Sequence, residues 1–107
     1  MNTEQKLYTA RNQVPTLGLR ALFDLITTLL IDDGKTGQLY LFERLEKLGY
    51  SRAELWTILN RLAELGFIRF DPKVMRVGCN TTSTLLAIEI VWIAPPVHRG
   101  APYEQSC

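Results

Sequence analysis

The side chains that most often catalyse reactions or bind metals are few in this 107-residue chain, and they are not grouped. His98 is the single histidine, and no cysteine or carboxylate lies at metal-ligand spacing from it. Cys79 and Cys107 are far apart, which argues against a zinc site or a disulfide framework. Asp32 and Asp33 are adjacent at a turn, where a solvated pair is more common than a magnesium site. We therefore predict no enzyme activity, no catalytic residue, no metal and no cofactor.

A second group of side chains has the spacing of a surface that binds a partner. Ser51 and Glu54 form a capping box, in which each side chain satisfies a backbone N–H at the start of a helix. Gly66 lies where a left-handed residue would end that helix. Apolar residues at helical spacing between these ends predict a buried face formed by Leu55, Ile58, Leu59, Leu62 and Leu65. The same periodicity places another set outward or on the flanks, namely Arg52, Ala53, Trp56, Thr57, Asn60, Arg61 and Glu64.

The chain before this helix contains further helical patterns. Residues 1–14 are polar with scattered apolar positions, and the sequence does not decide between a short helix and an extended arm. Thr16, as an N-cap, opens a helix at about Leu17 that ends in the turn-rich loop 32–37. A shorter helix begins near Gln38. Its predicted buried face is Leu41, Phe42, Leu45 and Leu48.

The chain after the capped helix changes to strand periodicity. We predict one strand over residues 67–70, a turn at 71–73 and a second strand over 74–77. Residues 85–94 place Leu86, Ile88, Ile90 and Trp92 on one face and Glu89 on the other. Their Ile and Val content favours a strand over a helix. This last strand could pair back onto the first one and form an extended β-ribbon. A helix in the same segment is the alternative.

Two short helices joined by a tight turn at Gly49, with strands after them, resemble the winged helix-turn-helix domain of small bacterial and phage transcriptional regulators. The resemblance covers about residues 17–93. It implies an α+β fold that is mostly α, with an N-terminal arm or short helix at 1–14, a winged helix domain with a C-terminal β-ribbon at 15–94, and an extended tail at 95–107. The alternative is a different small α+β domain in which the last predicted strand is central.

The resemblance implies a sequence-specific transcriptional regulator that binds double-stranded DNA in the cytoplasm as a homodimer. In this class the outward side of the second helix enters the major groove, where Asn60 could pair with adenine and Arg52 with guanine. Basic residues of the ribbon would contact phosphates, with Lys73 at the hairpin tip. The predicted DNA-binding residues are Arg52, Ala53, Trp56, Thr57, Asn60, Arg61, Arg69, Lys73 and Arg76.

Two features favour a protein partner instead of DNA. The net charge is only +1, far from the strongly basic balance of many nucleic-acid-binding domains. Trp56 is predicted to point outward, and Trp is a common anchor of protein interfaces. The alternative function is a winged-helix protein-interaction module that binds through Trp56, such as an assembly subunit or a phage or plasmid inhibitor of a host factor. Trp56 could also fold over the ribbon or the arm, and the basic ribbon residues could merely protect a sheet edge.

The helix from Leu17 is more apolar than a surface helix of a small monomer should be. The N-terminal arm and the C-terminal strand could cover it, or a second copy of the chain could. We predict a homodimer formed largely by this helix, because contiguous exposed apolar surface usually marks an interface. The predicted contacts are Leu19, Leu22, Phe23, Leu25, Ile26 and Leu29. Arg20 and Asp24 interrupt the apolar run, which is too short to span a bilayer, so no membrane partner is predicted.

Overall fold

We describe residues 2–76 and 84–95 of a computed structural model of the protein, leaving aside the side chains at 75, 76 and 84–86. These residues form an α+β structure that is mostly helical, with four α-helices and a three-stranded antiparallel sheet. In chain order the elements are α1 (Thr3–Asn12), α2 (Leu17–Asp33), β1 (Lys35–Gly37), α3 (Gln38–Glu46), α4 (Arg52–Glu64), β2 (Ile68–Arg76) and β3 (Thr84–Trp92).

The helices begin at side chains that satisfy their first backbone N–H groups. Asn2 and Gln5 form a capping box, so the N-terminal segment is a helix and not an extended arm. Thr16 caps α2, as predicted, by accepting a hydrogen bond from the backbone N–H of Leu19 at 3.2 Å. Ser51 and Glu54 form the predicted capping box of α4. Local sequence therefore determines where each of these three helices begins.

The predicted loop at 32–37 is wrong, because helix and strand together occupy most of it. Asp33 is still part of α2, and the helix ends at Gly34, whose φ of +81° favours a residue without a Cβ. The next three residues form β1, in which Thr36 lies opposite Ile90 of β3. The strand depends on this partner far along the chain, so the local composition of turn-forming residues did not reveal it.

The sheet has the strand order β1-β3-β2, with β3 in the centre. The predicted strand over 85–94 is confirmed, and it pairs with the strand that follows α4, as expected of a ribbon. Its central position is the one that the alternative fold prediction gave it. The predicted turn at 71–73 is wrong, because β2 is continuous from Ile68 to Arg76. Pro72 is accommodated there because β2 is an edge strand.

The core lies between the helices and one face of the sheet. Its members are the buried side chains Ala10, Val14, Leu22, Phe23, Ile26, Leu30, Leu41, Phe42, Leu45, Leu55, Ile58, Leu59, Leu62, Phe67, Ile68 and Ile90. Leu48 was predicted to be buried but is 64% exposed. The reason is that α3 ends at Glu46, so Leu48 lies in the following turn and no longer on the apolar side of the helix.

Half of the predicted dimer contacts are core residues of a single chain. Leu22, Phe23 and Ile26 are at most 2% exposed, so they cannot contact a second copy without unfolding, and their assignment to a dimer interface is wrong. Helix α1 and strand β3 both pack on α2. They cover the apolar side of this helix, which was one of the two possibilities that the sequence left open. Leu19, Leu25 and Leu29 are only partly buried. No helix in the described ranges is long and apolar enough to cross a membrane.

Candidate nucleic-acid interface

The outer side of α4 carries small and polar side chains that are exposed to solvent. Its opposite side is completely buried, with Leu55, Leu59 and Leu62 at 0% exposure. The helical period therefore turns Ala53, Thr57 and Asn60 outward, and all three are exposed.

These outward residues leave room for a partner to come close. The hydroxyl of Thr57 donates to the backbone oxygen of Ala53 at 2.8 Å, so it is already used within the helix. The amide of Asn60 makes no side-chain hydrogen bond to any other described residue, so its donor and acceptor face solvent. An exposed amide flanked by small side chains is suited to pairing with an adenine edge.

Trp56 does not point outward as predicted, because two aromatic rings hold it on the flank of α4. Its ring centroid lies 5.1 Å from that of Phe42 on α3 and 5.8 Å from that of Phe70 on β2. The indole is half-buried and packs against the core. Edge-to-face and tilted contacts of this kind stabilise a fold beyond the burial of area. Trp56 therefore fixes α4 relative to α3 and the ribbon, and it is not free to anchor a partner.

The two arginines on the flanks of α4 already have carboxylate partners. Arg52 donates from Nε to Oε2 of Glu46 at 3.0 Å, and its guanidinium lies over the ring of Phe42 at 5.9 Å. Arg61 lies 3.6 Å from a carboxylate oxygen of Glu64 and donates from Nη2 to Oε1 of Gln13 at 3.0 Å. Both pairs are exposed, with cation exposures of 64% and 45%. Pairs of this kind contribute at most about 1 kcal/mol each, so a phosphate could replace either carboxylate.

Arg69 and Asp71 form a short ion pair on the outer face of β2. Arg69 Nε lies 2.8 Å from Oδ1 of Asp71, two residues along the same strand. The hydrogen bond from Arg69 is the largest cause that lowers the pKa of the Asp71 carboxyl below its ordinary value, and the positive charges of Arg69 and Lys73 lower it further. The same hydrogen bond raises the pKa of Arg69 above its usual range. The two side chains therefore stay charged across the physiological range.

Lys73 lies within β2 opposite Ala87, so its predicted place at a hairpin tip is wrong. Its ammonium is 3.4 Å from a carboxylate oxygen of Glu89 on β3, and Lys35 of β1 approaches the other oxygen at 3.9 Å. Glu89 thus joins all three strands through one carboxylate.

Arg69 and Lys73 also lie on the strand face opposite to Phe70, because side chains alternate along a strand. Phe70 is the residue that contacts α4, so the two cations do not extend the outer surface of α4. Arg76 ends β2 opposite Thr84, and its side chain falls outside the described residues. The predicted site therefore divides into an α4 surface and a separate charged sheet face.

A groove of about 440 Å³ runs beside the outer side of α4. Val14, Pro15 and Leu19 from the corner between α1 and α2 line one wall, and Asn60 and Arg61 lie on the other. The hydrogen bond between Arg61 and Gln13 crosses this region. Leu19, which was also predicted as a dimer contact, lines this groove. The N-terminal helix thus borders the α4 surface, which the sequence did not predict.

Sequence reasoning found the cations of this surface but missed their partners. Gln13, Glu46 and Glu89 lie in other elements, so only the tertiary structure brings them to Arg61, Arg52 and Lys73. Asp71 was missed because a turn was predicted there, whereas in a strand residues two apart share a face.

Among the described residues no three His, Cys, Asp or Glu side chains are grouped so that they could hold a metal ion. His98, Cys79 and Cys107 lie outside those residues. The chain matches no protein-family model, and no significant match to a curated protein or to a solved structure was found.

Proposed function

We propose that this chain is a winged helix-turn-helix domain that binds double-stranded DNA and regulates transcription. The order of its elements, α2-β1-α3-α4-β2-β3, supports the assignment, as does the sheet in which β3 lies between β1 and β2. In this arrangement α3 and α4 are the helix-turn-helix pair, and the β2–β3 ribbon is the wing.

The observation that carries the proposal is the outer side of α4. It presents Ala53, Thr57 and Asn60 to solvent on a helix whose other side is fully buried. A helix of 13 residues is about 20 Å long, and it fits the major groove in width. Asn60 would read a base edge, while Arg52 and Arg61 on the two flanks would contact phosphates of the opposite groove walls.

The charges around α4 set the expected strength of binding. Arg52 and Arg61 would have to exchange a carboxylate for a phosphate, and the released Glu46 and Glu64 would then repel the DNA backbone. Two phosphate contacts per protomer give a salt dependence with a slope of about −2 in log–log form. We therefore expect modest affinity that falls only gradually with salt.

The test is a fluorescence anisotropy titration of the full chain with a mixed-sequence duplex at two salt concentrations. Binding that weakens with salt, and that is reduced by Arg52→Ala, supports the proposal. Arg44→Ala is the matched control, because that exposed arginine lies over Tyr40 of its own helix and away from α4. No binding at low salt with protein at about 100 µM would refute the proposal.

A protein partner is the second candidate function, and one observation favours it. All four cations of the predicted site whose side chains are described, Arg52, Arg61, Arg69 and Lys73, form ion pairs within the chain, so these surfaces are close to neutral. A neutral surface of polar and small residues suits a protein better than a polyanion. The partner would bind the exposed residues of α4, because Trp56 is held between two other rings.

A further inference from the structure

Helices α1 and α4 are joined by a bridging side chain and not by a close approach of their backbones. Helix α1 packs on α2, but among the described residues its backbone does not come near that of α4. The bridge is the hydrogen bond from Nη2 of Arg61 to Oε1 of Gln13 at 3.0 Å. The bonded pair lines two separate spaces, the groove of about 440 Å³ beside α4 and a second cleft of about 240 Å³.

The second cleft, which we name the α1–α4 cleft, combines cations with apolar walls. Lys6 of α1 and Arg61 of α4 bring two positive charges to it, and none of the described residues that line it is acidic. Ala10, Leu65 and Phe67 form its apolar walls. A small apolar cavity with a few convergent polar groups is the usual form of a site for a small ligand.

The polar groups of the α1–α4 cleft are mainly hydrogen-bond donors. The side-chain oxygen of Gln13 accepts from Arg61, which leaves the amide nitrogen of Gln13 as a donor. The guanidinium of Arg61 has five N–H donors, and its contacts with Gln13 and Glu64 use only part of them. Lys6 is exposed and forms no ion pair within the described part of the chain. The cleft therefore suits a ligand that is an anion.

Two nearby features oppose an anion, and both are weak. The carboxylate of Glu64 lies 3.6 Å from Arg61, but Glu64 lines the groove and not the cleft, and its side chain is 69% exposed to screening by solvent. The end of α4 carries a partial negative charge. That charge is reduced because a carbonyl oxygen of its last turn, that of Leu62, already accepts a hydrogen bond from the backbone N–H of Phe67 at 3.0 Å. The two cations therefore dominate the cleft.

We propose that the α1–α4 cleft binds a small aromatic carboxylate. Its ring lies against Leu65 and Phe67, and its carboxylate lies between Lys6 and Arg61. The cleft is smaller than the pockets that hold drug-sized ligands, so a ligand with about one or two rings fits. A guanidinium can bind a planar carboxylate with two parallel hydrogen bonds, and an aromatic wall favours an aromatic ligand. The proposal goes beyond DNA binding and does not depend on it.

Trp92 provides a local signal for binding in this cleft. Its ring stacks on that of Phe67, with the centroids 5.7 Å and the planes 19° apart. Its indole nitrogen is buried and has no hydrogen-bond partner among the described residues. Trp56, the other tryptophan, contacts Phe42 and Phe70 and does not line the cleft. A ligand that packs on Phe67 should therefore shift the indole N–H signal of Trp92 in an NMR spectrum and leave that of Trp56 in place.

The test is an NMR titration of the full chain, labelled with nitrogen-15, with 2-naphthoate as the probe. The matched probe is 2-naphthalenemethanol, which has the same ring system and no charge. A ligand with about 13 non-hydrogen atoms and the usual efficiency should bind 2-naphthoate's site with a dissociation constant of about 1 mM. We expect the alcohol to bind about fivefold more weakly, and this difference should shrink at high salt because the two cations are exposed.

Three variants locate the probe. Lys6→Met removes one positive charge and keeps an apolar stem, so it should raise the dissociation constant of 2-naphthoate about threefold and leave that of the alcohol unchanged. Lys47→Met is the matched control, because that exposed lysine follows α3 and does not line the cleft. Thr9 also lines the cleft, and Thr9→Phe should abolish binding of both probes by filling it. Lys6 and Thr9 are exposed, so both variants should stay folded.

The proposal is supported if the Trp92 signal shifts and saturates with 2-naphthoate, and if Lys6→Met weakens this binding while Lys47→Met does not. It is refuted if no signal saturates at about 10 mM 2-naphthoate, ten times the expected dissociation constant. Equal affinities for the two probes, or no loss in Lys6→Met, would show that the cations do not hold the carboxylate, which also refutes it. Binding that persists in Thr9→Phe would place the probe outside the cleft and overturn the assignment.

Discussion

The outer faces of α4 and α2 differ in where their charged side chains find partners. On α4, Arg52 and Arg61 flank an exposed polar face, and each meets a carboxylate at the surface. On α2, Asp24 and Arg20 of the middle turns bond to Arg11 and to backbone oxygens of the N-terminal segment. The exposed pairs on α4 can exchange partners at little cost, whereas the bonds on α2 join the helix to the N-terminal segment.

This difference determines which of the two surfaces could exchange its ionic partners for those of another molecule. A surface whose ion pairs are exposed can bind a polyanion by replacing carboxylates with phosphates, and the binding then depends on salt. The DNA binding proposed for the outer face of α4 should therefore weaken with salt and change with mutations on that face.

The largest expected effect is on stability, and it differs between a substitution on α4 and a substitution on α2. Trp56→Ala removes a ring that contacts both Phe42 and Phe70, and we expect a loss of about 2–4 kcal/mol in the free energy of unfolding. Leu17→Ala on α2 should cost less than about 0.5 kcal/mol, because that side chain is 79% exposed. Urea denaturation of both variants measures the difference. Equal losses would show that Trp56 is not part of the core.

The second prediction concerns the polar face of α4. If this face enters the major groove, Asn60→Ala should weaken binding to a selected duplex by about 1–3 kcal/mol and binding to random duplex only slightly. The reason is that a bidentate amide discriminates one base pair and contributes little elsewhere. Anisotropy titrations on both duplexes measure it, with Asn12→Ala at the end of α1 as the control. An equal loss on both duplexes would assign Asn60 to the DNA backbone and not to a base.

The sequence predicted the buried face of α4 more completely than that of α2. The capping box and the apolar spacing located α4 and its buried face, because those features act between residues at most four apart. The same spacing placed Trp56 outward, and the structure disagrees because Phe42 and Phe70 come from other elements. For α2 the excess of apolar residues was evident, but its division into core and surface depends on α1 and β3. Only tertiary packing assigns Leu22 to the core and Leu17 to solvent.

The sheet also shows that local sequence patterns do not reveal contacts between distant elements. Strand β3 was predicted because large apolar residues occupy every second position and its Ile and Val content favours a strand. In contrast, β1 has three residues and exists through its pairing with β3. A turn was predicted at Pro72, since Asp-Pro-Lys is typical of turns, but an edge strand tolerates a proline. The error at Pro72 hid the alternation of Arg69, Asp71 and Lys73, which is why the ion pairs of the sheet face were not foreseen.

A smaller effect on DNA affinity is expected from the ion pair between Arg61 and Glu64 on α4. Glu64→Gln should strengthen binding to DNA about two- to threefold at low salt, because it frees Arg61 and removes a negative charge from the outer side of the helix. The gain should disappear at high salt. Glu4→Gln in the first turn of α1 is the matched control, since the structure shows no ion pair for that exposed carboxylate within the described chain. Unchanged affinity in Glu64→Gln would place DNA away from this side of α4.

The smallest effect concerns the sheet face. Hydrogen bonding to Arg69 lowers the pKa of Asp71 in the folded chain below its value in the unfolded chain, so the pair stabilises the fold above the unfolded pKa of about 3.9. This contribution is lost as the pH falls through the folded pKa. NMR titration of the Asp71 carboxyl carbon should therefore give a midpoint below the usual range, and Arg69→Ala should raise it toward the usual value. Lys73→Ala should raise it less, because Lys73 acts only through its charge. If both variants shift the midpoint equally, the short contact between Arg69 and Asp71 does not persist in solution.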